Sequence, residues 1–262
     1  MIIPKEKEQK LRELLKVFLE ENKKVNLSAY REEQQCWVGN ILDSVASISA
    51  LEDGGAILNS KILDLGTGGG FPLLPLAIMF PDASFVGMDA TNKKIEAVRR
   101  IAERLDIKNV ELVSGRAEAL GHDARYREQF DYVLSRAVAP MNVLLEYMSP
   151  FCKKSGKMIC WKSMNCEDEL TESVDARIAL KSRLIGRHSY SLDDAIDQTS
   201  KVGLPAESKP SELQYESKNQ ENDEKSRPCA GWGERQILIF EKTGVLPNKF
   251  PRGVGEAKQK PL

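Results

Sequence analysis

The sequence predicts an α/β fold: a mostly parallel sheet with helices on both faces, preceded by a helical extension. Three observations predict it. From Lys61 onward, short apolar runs alternate with segments of helical period, as strands joined by crossover helices do. The first run, Lys61 to Leu65, leads straight into Gly66-Thr67-Gly68-Gly69-Gly70-Phe71-Pro72, which reads as a strand, a tight glycine turn and a helix start. The hydrophobic content is 41% of 262 residues, enough for one sizeable core with appendages. We divide the chain into a helical extension (1–55) and the α/β domain (56–262). The second part carries an acidic insertion at 191–228 and a basic arm at 242–262.

Residues 5–22 form the first expected helix, because Leu11, Leu14, Leu15, Phe18 and Leu19 recur at helical spacing. Asn22 to Ser28 breaks it, with Ser28 placed to cap a following turn. A second helix is expected over about 32–51 from Trp37, Ile41, Val45 and Ile48, three or four apart. Asp43 and Ser44 lie at an angle to that stripe, where a solvated face is the ordinary reading. Asp53-Gly54-Gly55 marks the boundary.

Strands are expected at 61–65, 84–89, 109–113, 130–135, 156–162 and 235–241, with helices at 72–80, 91–105, 141–150 and 166–181. Pro72 suits the first turn of a helix, where its missing N–H costs nothing, and Pro75 remains inside that turn. Ligands of such sheets bind at the carboxyl ends of the strands, and those ends are polar here. The second strand ends on Asp89, about 20 residues beyond the glycine loop, where an acid hydrogen-bonds ribose hydroxyls; Asp89 also suits the N-cap of 91–105, a task Thr91 could share. The third ends at Gly115-Arg116-Ala117-Glu118, bordering an adenine, with Glu118 as plain surface charge the alternative. The fourth ends at Ser135-Arg136-Ala137 and the fifth at Trp161-Lys162-Ser163. Arg136 directly after a buried strand points into the cleft mouth beside Lys162, and a structural ion pair is its alternative.

Residues 191–228 are rich in Ser, Asp, Glu, Asn and Gln and poor in large apolar residues, so we read them as a flexible insertion before the last strand. The tail holds Lys242, Lys249, Arg252, Lys258 and Lys260 against Glu256 alone. It reads as an ordered arm rather than a helix, either solvated or contacting phosphates near the cleft. The net charge of −1 does not advertise nucleic-acid binding, so such a role needs a local basic patch. Five cysteines without a CxxC pair read as reduced thiols in a cytosolic-type compartment. His122 and His188 are not in ligand spacing, so no metal is expected. No signal-peptide pattern or membrane-length apolar span stands out.

Two cofactor classes use a strand–glycine–helix corner. A dinucleotide fingerprint wants G-x-G-x-x-G, but the third glycine falls on Phe71 or Leu73. The pattern from Asp64 to Gly70 is D-x-G-x-G-x-G, which resembles the first motif of class I S-adenosylmethionine methyltransferases; an acid at the strand end suits the cofactor's cationic amino group.

Nearly the whole chain apart from the insertion resembles the RsmG, or GidB, family of guanine-N7 methyltransferases of small-subunit ribosomal RNA. The matching residues are Asn26-Leu27-Ser28, Ile41-Leu42-Asp43-Ser44, Leu63 to Pro72, Asn92-Lys93-Lys94, Gly115-Arg116-Ala117-Glu118, Ser135-Arg136-Ala137, and Phe250-Pro251-Arg252 through Lys260-Pro261-Leu262. The resemblance implies a Rossmann-like seven-stranded sheet, S-adenosylmethionine as cofactor, and ribosomal RNA or the assembled small subunit as partner. We expect a monomer in a bacterial-type cytoplasm, or in an organelle if the chain is a processed form. Asp64, Gly66, Thr67, Gly68, Gly70 and Phe71 would hold the methionine part, Asp89 the ribose, and Ala117 and Glu118 the adenine. Arg136 and Lys162 would position the nucleotide, with Arg136 also counted among the cofactor-binding residues, while Lys93, Lys94, Arg252, Lys258 and Lys260 would meet RNA. The chain departs from the family in Asn40, where His is usual, in Ser163, where Gly is usual, and in the insertion. A methyltransferase of another substrate class, an NAD-dependent oxidoreductase and a non-catalytic RNA-binding protein are the competing readings; Lys93, Lys94, Arg99 and Arg100 favour RNA unless they form an ordinary solvated helix face.

Overall fold

The computed structural model describes residues 3–52, 57–193 and 232–262. Its strands are β1 (Lys61–Leu65), β2 (Ser84–Asp89), β3 (Val110–Ser114), β4 (Phe130–Arg136), β5 (Cys152–Ser163), β6 (Ser182–Ser191) and β7 (Glu234–Lys242). Among the described residues they form one seven-stranded sheet in the order β3-β2-β1-β4-β5-β7-β6. Strands β1 to β5 pair in parallel, and β7 runs antiparallel between β5 and β6. This is the mostly parallel sheet that the sequence and its resemblance predict.

The helices are α1 (Lys5–Lys24), α2 (Glu33–Cys36), α3 (Asp43–Val45), α4 (Ile48–Glu52), α5 (Leu73–Met79), α6 (Asn92–Arg104), α7 (Ala117–Leu120), α8 (Met141–Met148), α9 (Glu167–Glu172), α10 (Val174–Ala179) and α11 (Glu256–Gln259). Side chains alternate across the central strands. Ile62, Leu134 and Ile159 face a core shared with α1, α5 and α6, whereas Leu63, Val133 and Met158 face a second core shared with α8. A sheet buried on both faces explains why its strands read as continuous apolar runs.

Several expectations need correction. The helix expected over 32–51 is a chain of short pieces, α2, α3 and α4, with a wider π-helical turn at Trp37–Leu42 between α2 and α3. Asp43 and Ser44 are buried rather than solvated, because this segment is wedged against the ends of β4 and β5. Helix α5 starts at Leu73, so Pro72 stands just before it rather than in its first turn. The expected helix at 166–181 is two short helices, α9 and α10, parted at Ser173, whose hydroxyl bonds the Leu170 carbonyl. The sequence reading missed β6, a polar edge strand whose burial alternates residue by residue. The arm includes one helical turn, α11. Lys242 is fully buried at the end of β7, bonded to Glu128, Ser149 and Cys152, and is no part of a solvated arm. Positions 194–228 of the expected insertion lie outside the described residues.

Helix α1 packs on the glycine turn rather than standing apart from it. Phe18 meets the Phe71 ring edge-on at 4.8 Å, and a Cβ on Gly69 would come within 3.1 Å of Phe18. Arg100 on α6 holds the buried Glu21 of α1 through two bonds, at 2.7 and 3.0 Å, and Arg104 pairs with Glu20.

Candidate functional site

A cavity of about 420 Å³ opens at the carboxyl ends of the parallel strands. Its floor is the turn after β1. Gly66 (φ +77°) and Gly68 (φ +54°) adopt the left-handed region that side chains avoid. A Cβ on Gly66 would strike Val138 at 2.5 Å, whereas one on Gly68 would meet nothing closer than 3.8 Å and would stand in the open space. The turn is tied to the neighbouring strand by Gly66 N and Thr67 N, both donating to the Met88 carbonyl.

Behind this wall lies Asp64, 1% exposed. Neither of its carboxylate oxygens nor the Thr67 hydroxyl has a hydrogen-bond partner of ordinary geometry. Burial pushes the Asp64 carboxyl up to about 6, and nearby Thr67 and Arg136 only temper the rise. A buried, unmatched carboxylate beside bare backbone suits a ligand that carries a cationic group.

Asp89 lines the cavity. One of its oxygens accepts Gly68 N at 3.0 Å and the other Thr91 N at 2.8 Å. It therefore ties the glycine turn to the start of α6, and a carboxylate's remaining lone pairs stay available to hydroxyl donors. Ala117 and Glu118 line the far side, where Glu118 Oε1 accepts the backbone N–H of Gly255 at 3.0 Å. The arm thus closes the cavity with Gly255 and Lys258. It is strapped down by Arg252, whose side chain pairs with the buried Glu146 at 2.6 Å, and by Arg127, which donates to the carbonyls of Phe250, Leu246 and Pro247.

The opposite wall comes from the N-terminal segment: Leu27, Ser28 and Asn40. Buried Asn22, near the end of α1, shapes it. Its Oδ1 accepts Leu27 N at 2.9 Å and Ser28 N at 3.1 Å, and its Nδ2 donates to the Tyr30 carbonyl at 2.9 Å. Ser28 caps the turn that follows it: its hydroxyl accepts Tyr30 N, two residues on, and also Asn40 Nδ2. Arg136 reaches this wall from β4. Nη1 donates to the Gly39 carbonyl at 3.1 Å and to Asp43 Oδ2 at 2.6 Å, and Nη2 donates to Asn40 Oδ1 at 3.2 Å. Arg136 is thus both a cavity residue and half of an ion pair.

The cavity gathers Gly66, Thr67, Gly68, Phe71, Asp89, Lys94, Ala117, Glu118, Arg136 and Lys258 from the residues singled out in the sequence. It does not gather the others into its wall. Gly70 (φ +88°) lies beneath it, where a Cβ would press on Leu74 at 2.9 Å. Lys162 is drawn to the Ala139 carbonyl and to Glu169, which also accepts Met141 N, so it braces the loop after β4. Lys93 and Lys260 are exposed, and Arg252 is spent on the strap. Sequence reasoning missed Gly255 and Tyr147 as cavity residues and Asp43 as the partner of Arg136. Only Asp43 left a signal, a polar residue inside an apolar helical stretch.

The GidB family model, described as rRNA small subunit methyltransferase G, matches residues 7–189. The ribosomal RNA small subunit methyltransferase G of Streptococcus pyogenes serotype M3 is 35% identical over 249 residues, covering 94% of this chain and 88% of that protein. The protein of the same name from Streptococcus suis is 34% identical over 248 residues, covering 94% of this chain and 87% of its own. Among solved structures, a point mutant of MtNAS is similar with a TM-score of 0.50 at 15% identity, over 89% of this chain and 71% of that one, a likeness of fold alone.

Proposed function

Because this chain belongs to the GidB family of rRNA small subunit methyltransferases, we propose that it transfers a methyl group from S-adenosylmethionine to N7 of a guanosine in small-subunit ribosomal RNA. The observation that carries this reading is the pairing of an unmatched buried acid, Asp64, with a glycine floor that leaves open space above Gly68. When bound there, S-adenosylmethionine supplies an electrophilic methyl group on a sulfonium centre. Asp64 faces its cationic amino group, Gly66, Thr67, Gly68 and Phe71 hold the methionine part, Asp89 accepts from the ribose hydroxyls, and Ala117 and Glu118 border the adenine. Gly70 serves the same turn from below.

Guanine N7 carries a lone pair and no proton, so the protein needs no general base. Its task is to align N7 with the methyl group and to exclude water. Leu27 and Phe71 supply apolar wall for that purpose, and Arg136 positions the nucleotide, with Lys162 bracing the loop beside it. Lys94, Arg116 and Lys258 line the cavity and Lys93 and Lys260 are exposed; we assign these cations to the phosphate backbone. Arg100 and Arg104 serve the α1–α6 contact instead. We place the enzyme in a bacterial-type cytoplasm as a monomer acting on ribosomal RNA or the assembled small subunit. Among the described residues no helix is long and apolar enough to cross a membrane.

The test is methyl transfer from labelled S-adenosylmethionine to small ribosomal subunits and to naked small-subunit RNA, with nucleoside analysis. Labelled 7-methylguanosine that disappears in Asp64→Ala is the expected result. Binding of the cofactor with no label in RNA would overturn the substrate while leaving the cofactor site standing.

A further inference from the structure

Arg136 has five N–H groups, and the protein engages three of them. Nη1 is spent on Gly39 and Asp43, and Nη2 makes a single bond to Asn40. Among the described residues, nothing accepts from Nε or from the second hydrogen of Nη2. Those two N–H groups lie parallel on one side of a planar fork, the arrangement that grips a pair of oxygens. The residue lines the cavity, yet its side chain is only 18% exposed, and that of its partner Asp43 is 8% exposed.

Asp43 is itself held from two further directions. Tyr190, from β6, donates its hydroxyl to Asp43 Oδ1, and Trp161 Nε1, from β5, donates to the Asp43 backbone carbonyl at 3.3 Å. Burial and the facing carboxylate push the Tyr190 hydroxyl well above its ordinary value, so it remains a donor. Three strands and the N-terminal helical segment thus converge on one guanidinium. A surface ion pair would need no such enclosure.

We propose that Asp43 and Tyr190 are positioning residues that aim the unengaged Nε/Nη2 edge of Arg136 at two phosphate oxygens of the target nucleotide. The proposal rests on the RNA-methylating reading above and adds the contact and its aiming device. The usual Arg fork on guanine takes O6 and N7, but N7 must keep its lone pair for the methyl group, which leaves phosphate as the matching oxygen pair. Asp43 also balances the positive charge of Arg136 beside a purine that becomes cationic as the methyl group arrives.

The test is a double-mutant cycle on the full chain, measuring kcat/KM for RNA, affinity for S-adenosylhomocysteine and thermal stability. Asp43→Asn should lower kcat/KM by about tenfold, and Tyr190→Phe by less, with affinity for S-adenosylhomocysteine kept within about twofold. Arg136→Gln should also flatten the slope of log kcat/KM against log salt by about one phosphate contact. In the Arg136→Gln background, Asp43→Asn should cost nothing more. Tyr190→Phe keeps the carboxylate in place and guards against misreading a folding defect. Full additivity of the two losses, or an unchanged salt slope in Arg136→Gln, would overturn the proposal; a wild-type chain that methylates no RNA would instead overturn the function on which it rests.

Discussion

Asp64 is where a protonation state, the stability of the empty protein and cofactor affinity are coupled. Its carboxyl lies at about 6 against an ordinary 3.8, because burial disfavours the charged form. At about 1.4 kcal/mol per pH unit, that gap amounts to about 3 kcal/mol. The sign follows from the raised value. The neutral acid suits the fold, so this group's contribution is fully present below pH 3.8 and is lost as pH rises through about 6. At pH 8 the empty protein therefore carries a buried charge that Thr67, Arg136 and the Leu73 backbone offset only in part. Asp64→Asn removes that charge and leaves an unmatched amide, so the variant should be more stable than the wild type at pH 8 by up to about 3 kcal/mol. The difference should shrink steadily toward pH 4. Urea denaturation of both proteins at several pH values, without ligand, measures it. On the proposed role of Asp64, the cofactor's ammonium would supply counter-charge, so affinity should move the other way. Binding of S-adenosylhomocysteine to the wild type should weaken below pH 6, whereas the variant should bind at least about tenfold more weakly and without that pH dependence. A stability difference that is flat across pH, or an Asp64→Asn protein that binds the ligand as tightly as the wild type, would refute the reasoning.

Further expectations follow from the surrounding geometry. Gly68→Ala should cost only the backbone strain of its left-handed conformation, about 1 kcal/mol, yet place a methyl group in the cavity and sharply reduce ligand affinity by calorimetry. Gly70→Ala, with its Cβ pressed on Leu74 and Val98, should instead be seen mainly as lost stability in thermal denaturation. Lys242→Met leaves two carbonyls and the partly buried Glu128 without their cation, so denaturation should show a loss of about 3–4 kcal/mol with unchanged RNA affinity per folded molecule. Asn22→Ala removes the bonds that shape residues 27–30 and should cost about 2 kcal/mol while raising KM for RNA more than for the cofactor.

The fold was legible where burial dictates composition. Strands β1, β2 and β4 are apolar on both faces, and the glycine turn after β1 announces itself through backbone demands that few residues meet. Strand β6 was not legible, because an edge strand buries one face and Ser182, Arg183, Arg187 and Ser189 dilute its pattern. The break at Trp37–Leu42 was hidden for another reason. Its apolar residues keep helical spacing, and period alone does not distinguish one straight helix from several pieces wedged into a corner. The arm's cations looked alike in sequence, but Lys242 and Arg252 are consumed by Glu128 and Glu146, partners more than a hundred positions away.

The same distance effect divides the two halves of the cavity. The proposed cofactor side is local: Asp64, Gly66 and Gly68 sit within one turn, and Asp89 follows at the next strand end, so spacing carries the information. The substrate side is assembled from afar. Arg136 meets Asp43 across 93 positions and Asn40 across 96, and Tyr190 reaches Asp43 across 147. No periodicity encodes such a meeting. What the sequence does show is a polar residue, Asp43, in a stretch that should be apolar, and burying an acid there is tolerable only if a cation and donors await it. Arg136, placed by the end of a buried strand, is that cation. The cavity therefore takes residues from both sides of the division the sequence suggests near residue 55. A chain cut near residue 55 would lose the wall that holds Arg136 and also the Phe18 ring packed on the glycine turn, so both halves of the cavity depend on residues before that point.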